Sequence, residues 1–473
     1  MRIFQLVPYI QDSWRATDRL TIEYGARYEV SAPPYEVHNH WANFDVNSGL
    51  LRVAGLNGNG RRLRNFDLNT FSPRVGLAYG LDAQKKTVVR AGFGMSFVDT
   101  LAGGAQLYKN LPYYFAQVTT TDSAGSPATR LSDGFSTPVA PDPNDTAAIS
   151  TGSPTAWDVN LRQTGVFQYS LGVQREIRPD VIADISYVGT RSEHLLINSL
   201  NLNQSRPGAG GQNPRRPYYT INPNLVNVAY RTAAGDASFN SLQIHVEKRT
   251  TKGLNFGASY TYAKYLSDAG NPNGGGNGDI QDHSCIRCNW GPTPDDFRHT
   301  FVFNHVYELP FGKDRQYLSH GPLAQIVGPW NLSGVWSLHS GSPFTVFYGS
   351  NVSNSAGGGT QRPDRIGSGR LASGRTTSRY FDTAAFTAPA LYSFGNSGTG
   401  TLIGPGYFNV DLTLERQFVV TERIRADLRG ESFNTFNRAN FNNPNATIGT
   451  TTAGVISSTQ SPRVLQVALK VTF

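Results

Sequence analysis

Apolar and polar residues take turns along much of this chain, at the period of two that places alternate side chains on opposite faces of a strand. In LTIEYGARYEV (residues 20–30), Leu20, Ile22, Tyr24, Ala26, Tyr28 and Val30 oppose Thr21, Glu23, Gly25, Arg27 and Glu29. TVVRAGFGMSF, FQYSLGV, VIADISYVG, LNFGASYTY, FNVDLTLE and residues 424–429 split the same way. So does the closing RVLQVALKVTF, where Leu465, Val467, Leu469, Val471 and Phe473 face one side and Val464, Gln466, Ala468, Lys470 and Thr472 the other. Each segment reads as a strand with one greasy face.

The connections between these strands alternate in length. Short ones fall at 15–19, 80–86, 177–180, 249–253 and 419–422. Long ones, rich in Gly, Asn, Ser, Asp and Pro, fall near 31–70, 98–164, 192–236, 266–295, 341–405 and 435–462. Short turns on one rim and long loops on the other are the plan of an outer-membrane barrel. Residues 310–328 break the rule, since they are long and lie on the short-turn rim. A soluble sandwich or propeller would also show short strands, but would not place long structureless loops at every second connection.

Composition agrees with a chain of strands and turns: Gly 49, Tyr 22 and Phe 26 stand beside Met 2 and 16% charged residues. No run approaches the ~18 apolar residues of a membrane helix, whereas a barrel strand needs only ~10 alternating residues. Aromatic residues such as Tyr24, Tyr28, Tyr260 and Tyr262 suit interfacial girdles, and also suit cross-strand packing. The net charge of +8 is scattered rather than gathered into a basic patch with interleaved aromatics, so nucleic acid is not an expected partner.

Counting gives about thirteen strands, starting near 3, 20, 71, 87, 166, 181, 239, 254, 297, 330, 407, 423 and 463. Bacterial single-chain barrels have even numbers. With the short turns in the periplasm, an odd count starts the chain at the extracellular rim. MRIFQLVPYIQDSWR also lacks the basic, apolar and small-residue succession of a secretory signal. Both observations lead to one expectation: an all-β transmembrane antiparallel barrel, of which residues 1–473 are the C-terminal portion.

The segments YIQDSWRATDRLTIEYGARYE, FSPRVGLAY, SLGVQREIRPDVIADISYVGTRSEHL, SYTYAKYLSDA, DFRHTFVFNHVYELPFGK, GPWNLSGVW, FNTFNRANFNNP and PRVLQVALKVTF occur in this order over nearly the whole chain. Together they resemble the barrel of TonB-dependent receptors, specifically the Oar-like group. The resemblance implies an outer-membrane barrel of about 22 strands, plugged by an N-terminal globular domain, that imports or exchanges a large or scarce ligand with energy relayed by the TonB complex. It also implies a carboxypeptidase-regulatory-like domain ahead of the plug. None of these N-terminal parts, nor a TonB-contacting box, is found in the sequence, so plug and TonB are partners expected of the full-length family. Outer-membrane lipid and the barrel-assembly machinery are the other expected partners. In proteins of this type the final strand, Leu465, Val467, Leu469, Val471 and terminal Phe473, resembles the signal that machinery reads.

Candidate chemistry is sparse. Glu23, Arg27, Arg90, Asp184, Glu247, Asp411, Glu415, Asp427, Arg429, Glu431 and Lys470 are expected to face inward, pairing with one another and with a plug, or lining a ligand path. Cys285 and Cys288 form a CxxC that suits a small disulfide in an oxidising compartment. A zinc site with His283 would have only three ligands and no second CxxC, and thioredoxin-like chemistry would need a strand-to-helix setting. His38 and His40 lie on one side of an extended loop segment, as a metal or siderophore contact or as plain surface residues. A barrel-embedded hydrolase would need a Ser/His pair on the outer face of adjacent strands; Ser241 and His245, read as outward and inward positions of one strand, do not supply it. No nucleophile elbow, phosphate loop or HExxH is present, so no enzyme activity and no cofactor are expected. The competing function is a surface-anchoring or adhesion barrel without energy-coupled transport.

Overall fold

The structure is a computed structural model that describes residues 1–98, 107–114, 132, 134, 139–251, 253–269, 280–312, 315–322, 324, 328–419 and 421–473. Thirteen strands follow one another in a single antiparallel path. They are β1 (Tyr9–Arg15), β2 (Leu20–Tyr28), β3 (Phe71–Gly80), β4 (Thr87–Val98), β5 (Thr164–Arg178), β6 (Val181–Asn201) and β7 (Ala229–Thr251). The path continues with β8 (Leu254–Ser267), β9 (His299–Glu308), β10 (Asn331–His339), β11 (Tyr407–Val419), β12 (Arg425–Phe433) and β13 (Val464–Thr472). Two short strands join the sheet off this path: Thr155–Trp157, parallel to β7, and Gly291–Pro292, against β8. β1 and β13 form the two ends of the path, and both run from the long-loop rim to the short-turn rim.

The alternating segments therefore became the strands, with two differences. The first strand begins at Tyr9 rather than near residue 3, because Gln5–Leu6 leaves the sheet to pair with Val30–Ser31; Pro8, which has no N–H to donate, stands at the break. The region 192–236 is not all loop: β6 and β7 run to 21 and 23 residues. At ~3.3 Å per residue such strands far exceed a ~30 Å hydrocarbon layer. Their outer ends are irregular, with register shifts from Ser192 to Leu200 and His194 in the left-handed region at φ 59°.

Two short turns share a pattern of Thr, acid, Arg and apolar residue, TDRL at 17–20 and TERI at 421–424, and share a structure. Thr17 Oγ1 accepts from the N–H groups of Arg19 (3.2 Å) and Leu20 (3.0 Å). Thr421 Oγ1 does the same for Arg423 (3.3 Å) and Ile424 (3.0 Å). A threonine hydroxyl thus satisfies turn donors that lie beyond the sheet's ladder. In the turn at 80–86, the Asp82 carboxylate takes that part, accepting from Lys86 N–H (2.9 Å) and Thr87 N–H (2.7 Å).

The packed core lies in the long connections. Ala42, Phe44, Leu51, Val53, Ile149, Tyr218, Leu225 and Val228 form one buried cluster. Trp41, Leu107, Trp157 and Leu161 form a second, and Phe344, Val346, Phe381, Phe386 and Leu402 a third. The apolar face of the sheet, by contrast, is bare: Leu171 is 56% and Val467 80% exposed. An uncovered apolar face of this extent belongs against lipid.

Candidate functional site

Register partners carry one face of the sheet from strand to strand. Asp184 of β6 stands opposite His245 of β7, which stands opposite Ser259 of β8, and the row continues through Val302, Ser337 and Asn409. The next row joins Glu247, Gly257, Asn304, Val335 and Asp411. Followed in this way, all eleven charged positions from Glu23 to Lys470 share the polar face. Leu171, Ile185, Leu242, Tyr260, Phe301 and Leu412 lie on the opposite one.

The polar face holds short hydrogen-bonded links, not a continuous constellation. Arg90 donates to Gln174 Oε1 at 2.6 Å, and Arg429 pairs with Glu415 (3.6 Å) and Glu431 (3.5 Å). Asp427 accepts from Gln417 at 2.8 Å. Asp411 accepts from Asn434 N–H (2.8 Å) and Asn409 Nδ2 (2.9 Å), tying the loop after β12 back to β11. Arg27 pairs with Glu29, and Arg74 with Gln11. Ser241 and His245, separated by four residues in one strand, lie on the same polar face, which corrects their assignment to opposite faces. His245 Nδ1 instead lies 2.8 Å from Ser259 Oγ across the strand pair.

Above the sheet the long connections build a polar layer. Cys285 and Cys288 are joined at a Cα separation of 5.4 Å around a one-turn 3-10 helix, Ile286–Asn289. That turn presents Arg287 to Asp268 at 3.0 Å and lays its guanidinium 3.9 Å from the Trp290 ring centre. His283 is engaged elsewhere, since its Nδ1 accepts from Asn201 N–H at 2.6 Å. His38 and His40 have ring centres 5.8 Å apart, and His40 stacks on Tyr113 at 4.8 Å. Their backbone N–H groups both reach Glu36 Oε2 at 2.7 Å. Those bonds, that of His40 foremost, hold the Glu36 carboxyl below its usual range.

A cavity of about 420 Å³ opens between three of these loops, lined by Gln204, Gln212, Gln281, Asn351, Gln361 and Tyr348 among others. Its amides are largely spent on one another and on backbone: Gln204 Nε2 donates to Gln281 O (2.8 Å), Gln281 Nε2 to Gly395 O (2.9 Å), and Gln361 Nε2 to Ser353 Oγ (2.6 Å). Sequence reading missed this network, because Gln, Asn and Ser in a long connection look alike whether they solvate a loop or cross-link it.

An antiparallel wall with one bare apolar face, one polar face, short turns on one rim and a folded loop layer on the other is the wall of an outer-membrane β-barrel. A family model described as an outer membrane beta barrel domain matches residues 1–466, and the chain belongs to that family. Its place is the outer membrane. Among solved structures, the outer membrane transporter YddB from Escherichia coli matches at TM-score 0.52 and 11% identity, over 99% of this chain and 45% of that one. The ferripyoverdine receptor of Pseudomonas aeruginosa matches at TM-score 0.44 and 12% identity, over 99% of this chain and 38% of that one. The chain thus spans less than half the length of these structures, and the likeness to YddB is one of fold. No curated protein matches the sequence.

Proposed function

We propose that this chain is the C-terminal barrel portion of a TonB-dependent receptor of the Oar-like kind, which imports an unidentified ligand across the outer membrane. The observation that carries the reading is the thirteen-strand wall itself, whose two end strands run in the same direction. Antiparallel closure of such a wall requires an odd number of further strands, and a barrel of about 22 strands supplies them. The shared fold with a transporter more than twice its length supports the same reading. In this reading the polar face lines the lumen, its charged rows meet a plug encoded ahead of these strands, and the loop layer receives the ligand from outside.

The test is binding of the full-length protein, extracted from outer membranes, to the periplasmic domain of TonB by calorimetry. A receptor binds it, and binds more tightly once ligand is loaded. A protein that reaches the outer membrane but shows no TonB contact, with no plug encoded upstream, would be a surface anchor instead.

A further inference from the structure

The apolar face is not uniform. A groove of about 1080 Å³ crosses it near the short-turn rim, lined by Leu254, Phe256, Phe303, His305, Leu332 and Trp336, with Arg178, Asp180 and Lys248 at its end. All the strand residues in this lining lie on the lipid-facing side, in consecutive register rows. Lys248, Phe256, His305 and Gly334 form one row, and Leu254, Tyr307 and Leu332 the row nearer the rim. Gly334 shapes the groove: a Cβ there would lie 2.8 Å from His305 Cε1 and 2.6 Å from Leu412 Cδ2, so the imidazole folds over the glycine. A larger residue at 334 would displace that ring.

We propose that this groove binds one anionic diacyl phospholipid of the periplasmic leaflet, with acyl chains along Phe256, Phe303 and Leu332 and its phosphate at Arg178 and Lys248. The rim carries two cations and one carboxylate, with Lys248 Nζ 3.5 Å from Asp180, leaving one net positive charge at headgroup depth. Arg178, the last residue of β5, is exposed, and its register partner Val181 is on the lipid side, so it stands beside the groove mouth. His305, in the register row of Lys248, and Trp336, farther from the rim, keep Nδ1 and Nε1 buried with no partner among the described residues. Both atoms are closed off by the surrounding protein, so the groove meets the acyl chains with its apolar surface. An aqueous protein partner does not fit, because the groove opens toward the membrane. The assignment rests on the outer-membrane location and not on the transport reading.

Protein extracted from outer membranes in mild detergent is incubated with phosphatidylglycerol or phosphatidylethanolamine and examined by native mass spectrometry. A defined single adduct is expected with phosphatidylglycerol. Arg178→Gln is expected to weaken it about tenfold, as befits loss of one charged hydrogen bond, while phosphatidylethanolamine binding changes little. Heat-modifiable gel mobility verifies that the variant remains folded, which an exposed position at a strand end favours. Equal retention of both lipids by both proteins would show only the general annulus and overturn the proposal.

Discussion

Leu171 and Ser170 are neighbours in sequence and occupy different solvents. Leu171 sits halfway along β5 on the lipid face, opposite Ala91 and Tyr187, and Ser170 faces the polar side opposite Gly92 and Val188. Arginine at position 171 is expected to cost about 2–4 kcal/mol, the penalty of a cation at the bilayer midplane. At position 170 it is expected to cost little. Urea unfolding of the two variants in phospholipid vesicles measures the difference, and equal costs would mean the faces are misassigned. Glu36 offers a pH-dependent counterpart in the loop layer. Its folded pKa is lowered from 4.5, so its stabilisation of the His38–His40 turn is complete above that value and is lost as pH falls through the depressed folded value. Protection factors at the His38 and His40 amides, taken against the intrinsic exchange rate at each pH, should therefore fall in acid, and Glu36→Ala should show low protection at every pH. The faces were legible in the sequence because alternation has only two phases. The carboxylate cap at Glu36 was not, since its signal is a single glutamate two and four residues before the amides it holds.

At the scale of elements, the threonine turns and the last strand carry separate roles. Thr421→Ala removes a hydroxyl that accepts from two backbone N–H groups, and about 1 kcal/mol of stability is expected to go with it. Thr421→Ser should restore most of that, and a urea midpoint series over the three proteins decides. β13 makes a different prediction. It pairs with β12 along one side only, and Phe473 is 96% exposed beyond its end. If the closing aromatic is read during assembly, deleting Phe473 will lower the heat-modifiable folded fraction in outer membranes while leaving refolding in detergent unchanged. Loss in both settings would make the residue merely structural. Strand positions such as 20–30 and 254–262 could be read from pattern alone, whereas the loop layer could not. Phe44 and Tyr218 pack edge to face from two separate connections, and no local periodicity records a contact between residues more than a hundred positions apart. The Thr155–Trp157 strand, parallel to β7, was hidden for the same reason.

For the whole molecule, the direction of the end strands is the decisive fact. β1 and β13 both run toward the short-turn rim, so joining them directly would make a thirteen-strand barrel sealed by one parallel pair. Sealing through other strands keeps every pair antiparallel and requires an odd number of them. The alternatives differ in the distance between the two edges: about 5 Å between strands if they pair, and several times that if further strands intervene. Gln11 on β1 and Gln466 on β13 both face the polar side. Cysteines at these positions, or at Ser13 and Ala468 to allow for stagger, report the distance without crossing the wall. In the full-length protein embedded in the outer membrane, neither pair is expected to form a disulfide under mild oxidation. A pair placed at Glu415 and Arg429, adjacent in register across β11 and β12, should cross-link readily as the positive control. Efficient cross-linking of Gln11→Cys to Gln466→Cys would close the barrel at thirteen strands, leave no arc for additional strands, and remove the support that end-strand direction gives to the transport reading.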